Sequence, residues 1–210
     1  MHASPHTLAT EARQWEDLTL PLPEVMRVAQ RLLVFAGVAA FFPFGLIWGL
    51  PDLPGRGEWP AFFERALVEG AVFVLVYAAS AVVHEGLHAL AMVVFAGVPL
   101  RSIRFGMRLS EGIAYVHTSR PMTVRAYRVV LALPGVLQGL LPLVAGLAVG
   151  SGWVTFYGFV MLVSAAGDVA VLRLLRPVAP GRLVLDHPHD VGCRLLVEGR
   201  ALPEERIEAP

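Results

Sequence analysis

The sequence predicts an all-α polytopic membrane protein: about four transmembrane helices, with a short membrane-surface β-hairpin between the second and third. Three observations predict it. The first is composition: of 210 residues, 56% are hydrophobic and only 16% charged, where soluble domains carry roughly a quarter charged residues. The second is a set of four apolar segments, near 28–50, 67–98, 126–149 and 153–175, each able to supply the roughly 20 helical residues that cross a hydrocarbon core. The third is the placement of arginine, the only basic residue type apart from histidine, since lysine is absent.

Residues 1–24 read as an N-terminal cytoplasmic tail. Glu11, Glu16, Asp17 and Glu24 replace the basic region that opens a cleavable signal peptide, so membrane insertion is expected to use the spans themselves. His2 and His6 fall in this tail and are assigned no role. Residues 25–180 form the expected membrane-embedded domain, and its loops set the orientation. The connection between the second and third segments holds Arg101, Arg104, Arg108, Arg120 and Arg125 against Glu111 alone, and Arg173, Arg176 and Arg182 close the fourth. Basic loops face the cytoplasm, which places both termini inside and predicts a multi-pass protein of the cell (inner) membrane. The first loop, with Asp52, Glu58 and Glu64 against Arg56 and Arg65, then faces out. Net charge is zero, and nothing points to a nucleic-acid partner.

Within the long basic connection, Ile103, Phe105, Met107 and Leu109 alternate with Arg104, Gly106 and Arg108, the period of a strand. Turn chemistry at 110–112 and the apolar run at 113–117 complete the expected hairpin; a strand lying on lipid headgroups fits the same pattern. Residues 181–210 read as a polar C-terminal cytoplasmic tail.

The second segment carries HEGLH at 84–88, polar residues inside a run that otherwise belongs in lipid. Residues four apart share a helix face, so His84 and His88 can present imidazole nitrogens to one metal ion. Glu85 is displaced toward the open coordination position, where it can take a proton from water acidified by zinc. Ionisable groups at membrane depth are costly and occur chiefly where they pair, bind ions or line a polar cavity. A metal-free His/Glu cluster that holds helices together would satisfy the same rule.

Catalytic zinc usually has three protein ligands. Asp168, in AAGDVAV, is the ionisable residue of another span at matching depth: roughly 13 Å of helix separate His88 from the inner end of its span and roughly 12 Å separate Asp168 from the inner end of the fourth. Ser164, Ala165, Ala166 and Gly167 before it permit close helix approach. The expected metal ligands are therefore His84, His88 and Asp168, with Glu85 as the catalytic base and Zn2+ as the cofactor.

The HEGLH helix, the hairpin-like segment after it, LALPG at 131–135 and a later span with an aspartate resemble the site-two-protease class of intramembrane zinc metalloproteases. With AAGD and the downstream DHP at 186–188, the chain resembles more closely a bacterial zincin-peptidase family of unknown function. The resemblance implies the same roles for His84, Glu85, His88 and Asp168, and implies cleavage of a membrane-associated protein or peptide in or near the cytoplasmic half of the bilayer. The chain departs from site-two proteases at two points: Gly167 precedes the aspartate instead of following it, and there is no asparagine to contact the scissile carbonyl. His117 or Gln138 could supply that hydrogen bond.

The run DHPHDVGC at 186–193 offers Asp186, His187, His189, Asp190 and Cys193 as donors. It can act as a polar turn, as a gate or support at the zinc site, or as a separate metal site. Two further readings of the whole chain stand beside the protease: a metal-binding or metal-transporting protein without catalysis, in which Glu85 is dispensable, and an inactive scaffold that carries no metal.

Overall fold

The computed structural model describes residues 15–50, 52–108, 113–187 and 190–197. His2, His6, the turn expected at 110–112 and His189 lie outside the described residues. The element order is β1 (Trp15–Thr19), α1 (Leu22–Trp48), α2 (Trp59–Ala96), β2 (Ile103–Arg108), β3 (Ile113–Thr118), β4 (Met122–Thr123), α3 (Val124–Pro134), a π-helical stretch (Gly135–Leu140), α4 (Leu141–Val149), α5 (Gly152–Ser164), α6 (Ala166–Leu174), β5 (Leu183–Asp186) and β6 (Gly192–Leu196).

Sequence chemistry fixes the helix ends. Prolines sit in the first turn of α1 and α2, where a missing N–H costs nothing. The side chain of Thr123 caps α3 by accepting from the Ala126 N–H, and that of Ser151 caps α5 by accepting from the Val154 N–H. Gly97 ends α2 in the left-handed conformation that glycine adopts without a Cβ clash. At 38 residues, α2 is about 57 Å long, well beyond a hydrocarbon core of about 30 Å. It starts eight residues before the expected span.

Among the described residues, three helical segments are long and apolar enough to cross a membrane: α1, α2 and the run from Val124 to Val149. A fourth span exists if α5 and α6, bent by 46° at their junction, are one crossing. The span expected at 153–175 is therefore a pair of helices with a break between them. The break falls in Ser164-Ala165-Ala166-Gly167, where Ser164 Oγ donates back to the Val160 carbonyl at 2.9 Å; small residues and serine back-bonding both favour helix bending. Phe35, Leu67 and Leu75 are more than 70% exposed, an outward apolar face that suits lipid.

The all-α expectation is also corrected by a four-stranded sheet beyond the expected hairpin: the chain is mostly helical, with two antiparallel sheets among the described residues. β2 and β3 pair with Arg104 opposite His117 and Phe105 opposite Val116. The second sheet has the order β1-β6-β5-β4 and joins strands from residues 1–24 and 181–210. Its register sets Asp17 opposite Arg194, and the two form an ion pair at 2.9 Å.

The main core lies where α2, α3, α6 and both sheets meet. Met92, Val116, Tyr127, Val130, Val171, Leu175, Val184 and Cys193 are buried there. Farther along the helices, glycine sets the packing of α5 against the third span. A Cβ on Gly139 would lie 2.8 Å from Leu162 Cα, and one on Gly158 would meet the backbone of Leu143. The two segments therefore touch backbone to backbone, as small residues allow in membranes.

Candidate metal centre

The centre is built on the buried half of α2. His84 and His88, one helical turn apart, have ring centroids 4.9 Å from each other. Donor atoms of His84, Glu85 and His88 all lie within 4.8 Å of one another, a group that could hold a metal ion. Asp168, in the first turn of α6, reaches both histidines: its Oδ2 is 3.1 Å from His84 Nε2 and its Oδ1 is 3.4 Å from His88 Nε2. The side chains that the sequence expects to act together are thus brought together.

Neighbouring elements hold this arrangement. Arg128 of α3 donates to the carbonyls of Leu175 and Val178, each at 2.8 Å, which satisfies the C-terminal end of α6 and fixes the helix that carries Asp168. On the α2 side, His88 Nδ1 lies 2.9 Å from the Val130 carbonyl. A carbonyl only accepts, so Nδ1 carries the proton. In a helix the acceptor at Val130 would be served by the N–H of residue 134, and residue 134 is proline, which has none. The LALPG sequence therefore leaves an open acceptor that His88 fills.

That bond decides the chemistry of the other nitrogen. With Nδ1 protonated, Nε2 of the neutral ring presents a lone pair, and it faces a carboxylate oxygen at 3.4 Å. Two lone pairs at that distance require a shared cation, either a proton or a metal ion. Donors about 2.0–2.1 Å from a tetrahedral zinc stand about 3.3–3.4 Å apart, close to the two observed His–Asp separations. The two His–Asp spacings, the donor types and the His88 tautomer fit a zinc ion.

A cavity of about 330 Å³ opens beside the cluster, lined in part by Glu85, His88 and Asp168. Val116 of β3 lines the same cavity as Glu85, which sets the catalytic candidate beside the hairpin. The cavity wall carries a second polar group. Asp186 on β5 accepts from the Tyr127 hydroxyl at 2.7 Å and lies 3.3 Å from His117 Nδ1. Asp186, His117 and His187 all line the cavity.

The remaining candidates separate by position. Gln138 is buried in the π-helical stretch, outside the cavity lining, and donates to the Ser80 carbonyl at 3.1 Å; of the two carbonyl-contact candidates, His117 is the one on the cavity wall. The His187 side chain is 6% exposed, with its Nδ1 accepting from the Asp190 N–H at 2.8 Å and its Nε2 3.8 Å from Asp17, so it ties the β5–β6 turn to β1. Cys193 is fully buried in the core. Burial, helped by the Asp186 charge, pushes its thiol up to about 12, which makes a thiolate ligand unfavourable. Tyr127, Val130 and Pro134 were not singled out from the sequence; only the proline, through its missing N–H, left a readable signal.

A family described as "Putative zincin peptidase" matches residues 77–182. The chain belongs to this zincin family. The matched region contains His84, Glu85, His88, Pro134 and Asp168, and ends before Asp186. Neither a curated protein nor a solved structure matches the chain, so the likeness to site-two proteases has no counterpart among the matches.

Proposed function

We propose that this zincin-family chain is an intramembrane zinc metallopeptidase that hydrolyses a peptide bond of a membrane-associated protein within or near the cytoplasmic half of the bilayer. The observation that carries the reading is the meeting of His84, His88 and Asp168 from two helices, beside Glu85, at the wall of a cavity. His84, His88 and Asp168 hold the metal. A bound zinc ion supplies Lewis-acid chemistry, acidifying water and polarising the scissile carbonyl.

The chain's own residues move the proton. Glu85 takes it from the water whose oxygen bonds to the carbonyl carbon. It then returns that proton to the amide nitrogen as the C–N bond breaks, leaving a carboxyl group and an amine. His117, with its Nδ1–H turned to Asp186, presents the Nε2 lone pair of the neutral ring to a peptide N–H, and donates to the scissile carbonyl only as the imidazolium. Orientation follows the arginine distribution: the basic connection holding β2 and β3 faces the cytoplasm, together with both termini. A helical substrate must unwind to present its amide, and the lipid bilayer and that extended peptide are the expected partners.

The test compares wild type with Glu85→Gln, reconstituted in lipid with a membrane-tethered reporter peptide. Metal analysis should find zinc in both, and cleavage should fall about 10²–10⁴-fold in the variant. Undiminished cleavage by the variant would remove Glu85 from the mechanism. Zinc without cleavage in either protein would favour a metal-binding or transporting role.

A further inference from the structure

A second concave site lies away from the metal centre, between the start of α1 and the end of α6. It encloses about 300 Å³ and is lined by Glu24, Arg27, Val28, Arg31, Arg173 and Leu174, among others. Three guanidinium groups thus share one groove with a single carboxylate. Glu24 pairs with Arg27 at 3.5 Å. Arg31 and Arg173 make no side-chain hydrogen bond or ion pair among the described residues. Like charges gathered without a counter-ion repel one another, and an anion in the groove would relieve that repulsion.

The groove's position narrows the anion. Arg27 and Arg31 lie one turn apart on one face of α1, and no charged residue follows Arg31 until Asp52. Arg31 therefore marks the edge of the apolar span. Val28 and Leu174 give the groove an apolar wall on the same side as the guanidinium groups. An occupant that satisfies both has a phosphate at the membrane edge and hydrocarbon beside it. Guanidinium forks match phosphate oxygens in pairs, and basic pockets between membrane helices suit anionic headgroups.

We propose that this groove binds the phosphodiester headgroup of an anionic phospholipid, with an acyl chain running along α1 and α6. The proposal rests on the membrane placement and is independent of the peptidase reading. The full chain is reconstituted in phosphatidylcholine vesicles, and the association of spin-labelled phosphatidylglycerol is compared with that of spin-labelled phosphatidylcholine. Wild type selects phosphatidylglycerol, and each of Arg31→Ala and Arg173→Ala lowers that selectivity by about fivefold. Arg31→Lys with Arg173→Lys retains most of it, which separates lost charge from lost folding, and Arg56→Ala in the first loop leaves it unchanged. Equal association of the two lipids with wild type overturns the proposal, as does unchanged selectivity in Arg31→Ala and in Arg173→Ala. Inorganic phosphate is the second arm: if it displaces phosphatidylglycerol completely at about the millimolar level where it screens only weakly, the groove is a free-anion site and the lipid assignment fails.

Discussion

His88 Nδ1 lies 2.9 Å from the carbonyl oxygen of Val130, an acceptor left open because residue 134 is a proline. The consequence reaches the metal centre: the bond orients the imidazole and leaves Nε2 as the lone-pair donor facing Asp168. A backbone carbonyl behind a histidine ligand commonly fixes ring and tautomer in this way, and its loss costs about 10–100-fold in metal affinity.

Pro134→Ala restores an N–H that can compete for the Val130 carbonyl. A carbonyl has two lone pairs, so the bond to His88 weakens without being abolished, and zinc affinity should fall toward the lower end, about tenfold. Chelator competition on purified protein measures it. Wild-type affinity in the variant would show that the open carbonyl does not tune the site. His88→Ala, Asp168→Ala and His84→Ala should each lose stoichiometric zinc altogether.

The Tyr127–Asp186–His117 group predicts a different signature. Tyr127→Phe removes the shortest hydrogen bond to the Asp186 carboxylate, and Asp186→Asn weakens the hold on His117 Nδ1. Because neither residue touches His84, His88 or Asp168 through a hydrogen bond, zinc content should stay at the wild-type level. The turnover number should fall about tenfold or more, as loss of a charge-assisted hydrogen bond of about 1.5–3 kcal/mol implies, with a smaller change in KM. Loss of zinc in either variant would mean that the cavity wall supports the metal centre and not the substrate.

What the sequence disclosed and what it hid follow from one distinction. HEGLH was legible because both histidines belong to one helix, where spacing alone fixes a shared face. Asp168 was legible because an acid inside an apolar span is costly, so few such residues needed to be matched by depth. The Tyr127–Asp186 and His117–Asp186 contacts span 59 and 69 residues, and no local periodicity links them. The four-stranded sheet was hidden for the same reason: β1 and β6 are five-residue strands from opposite ends of the chain, without a hairpin turn to announce their pairing. The break before Ala166 was masked by apolar stretches on both sides of it. Hydropathy measures what a segment is dissolved in, and that is the same on both sides of a bend.

Cys193 offers a test of the core by pH. Its thiol is pushed from an ordinary value near 9 up to about 12, chiefly by burial and further by Asp186. Between those values the folded chain keeps a proton that the unfolded chain releases, so stability falls as pH rises from about 9 to 12. Cys193→Ala should lessen that decline, at the cost of a small cavity. At pH 8 the folded thiol is about one part in 10⁴ thiolate, so alkylating reagents should label it only after unfolding. Rapid labelling of the native protein would contradict the buried, protonated thiol.

The contact between α5 and the third span yields the last prediction, which links packing to the metal centre. A side chain at Gly158 has no room, because even a Cβ would meet the backbone of Leu143 and the Gly139 carbonyl. Backbone cannot rotate aside as a side chain can, so Gly158→Ala must push α5 away from its neighbour, at a cost of about 1–3 kcal/mol. The displacement does not stop there: α5 continues through Ala165 into α6, whose first turn carries Asp168 within 3.1 Å of His84. A shift of a few tenths of an ångström at that point is felt by a metal whose ligand distances are set to about 0.2 Å. Gly158→Ala should therefore lower both the thermal midpoint and the zinc affinity. Gly70→Ala, where no atom lies within 4 Å of the added Cβ, should be neutral or slightly stabilising by helix propensity. If Gly158→Ala lowers the midpoint and leaves zinc affinity intact, the bend at Ala165 insulates the site from the packing of α5, and Arg128 with the core packing of Val171 holds α6 in place.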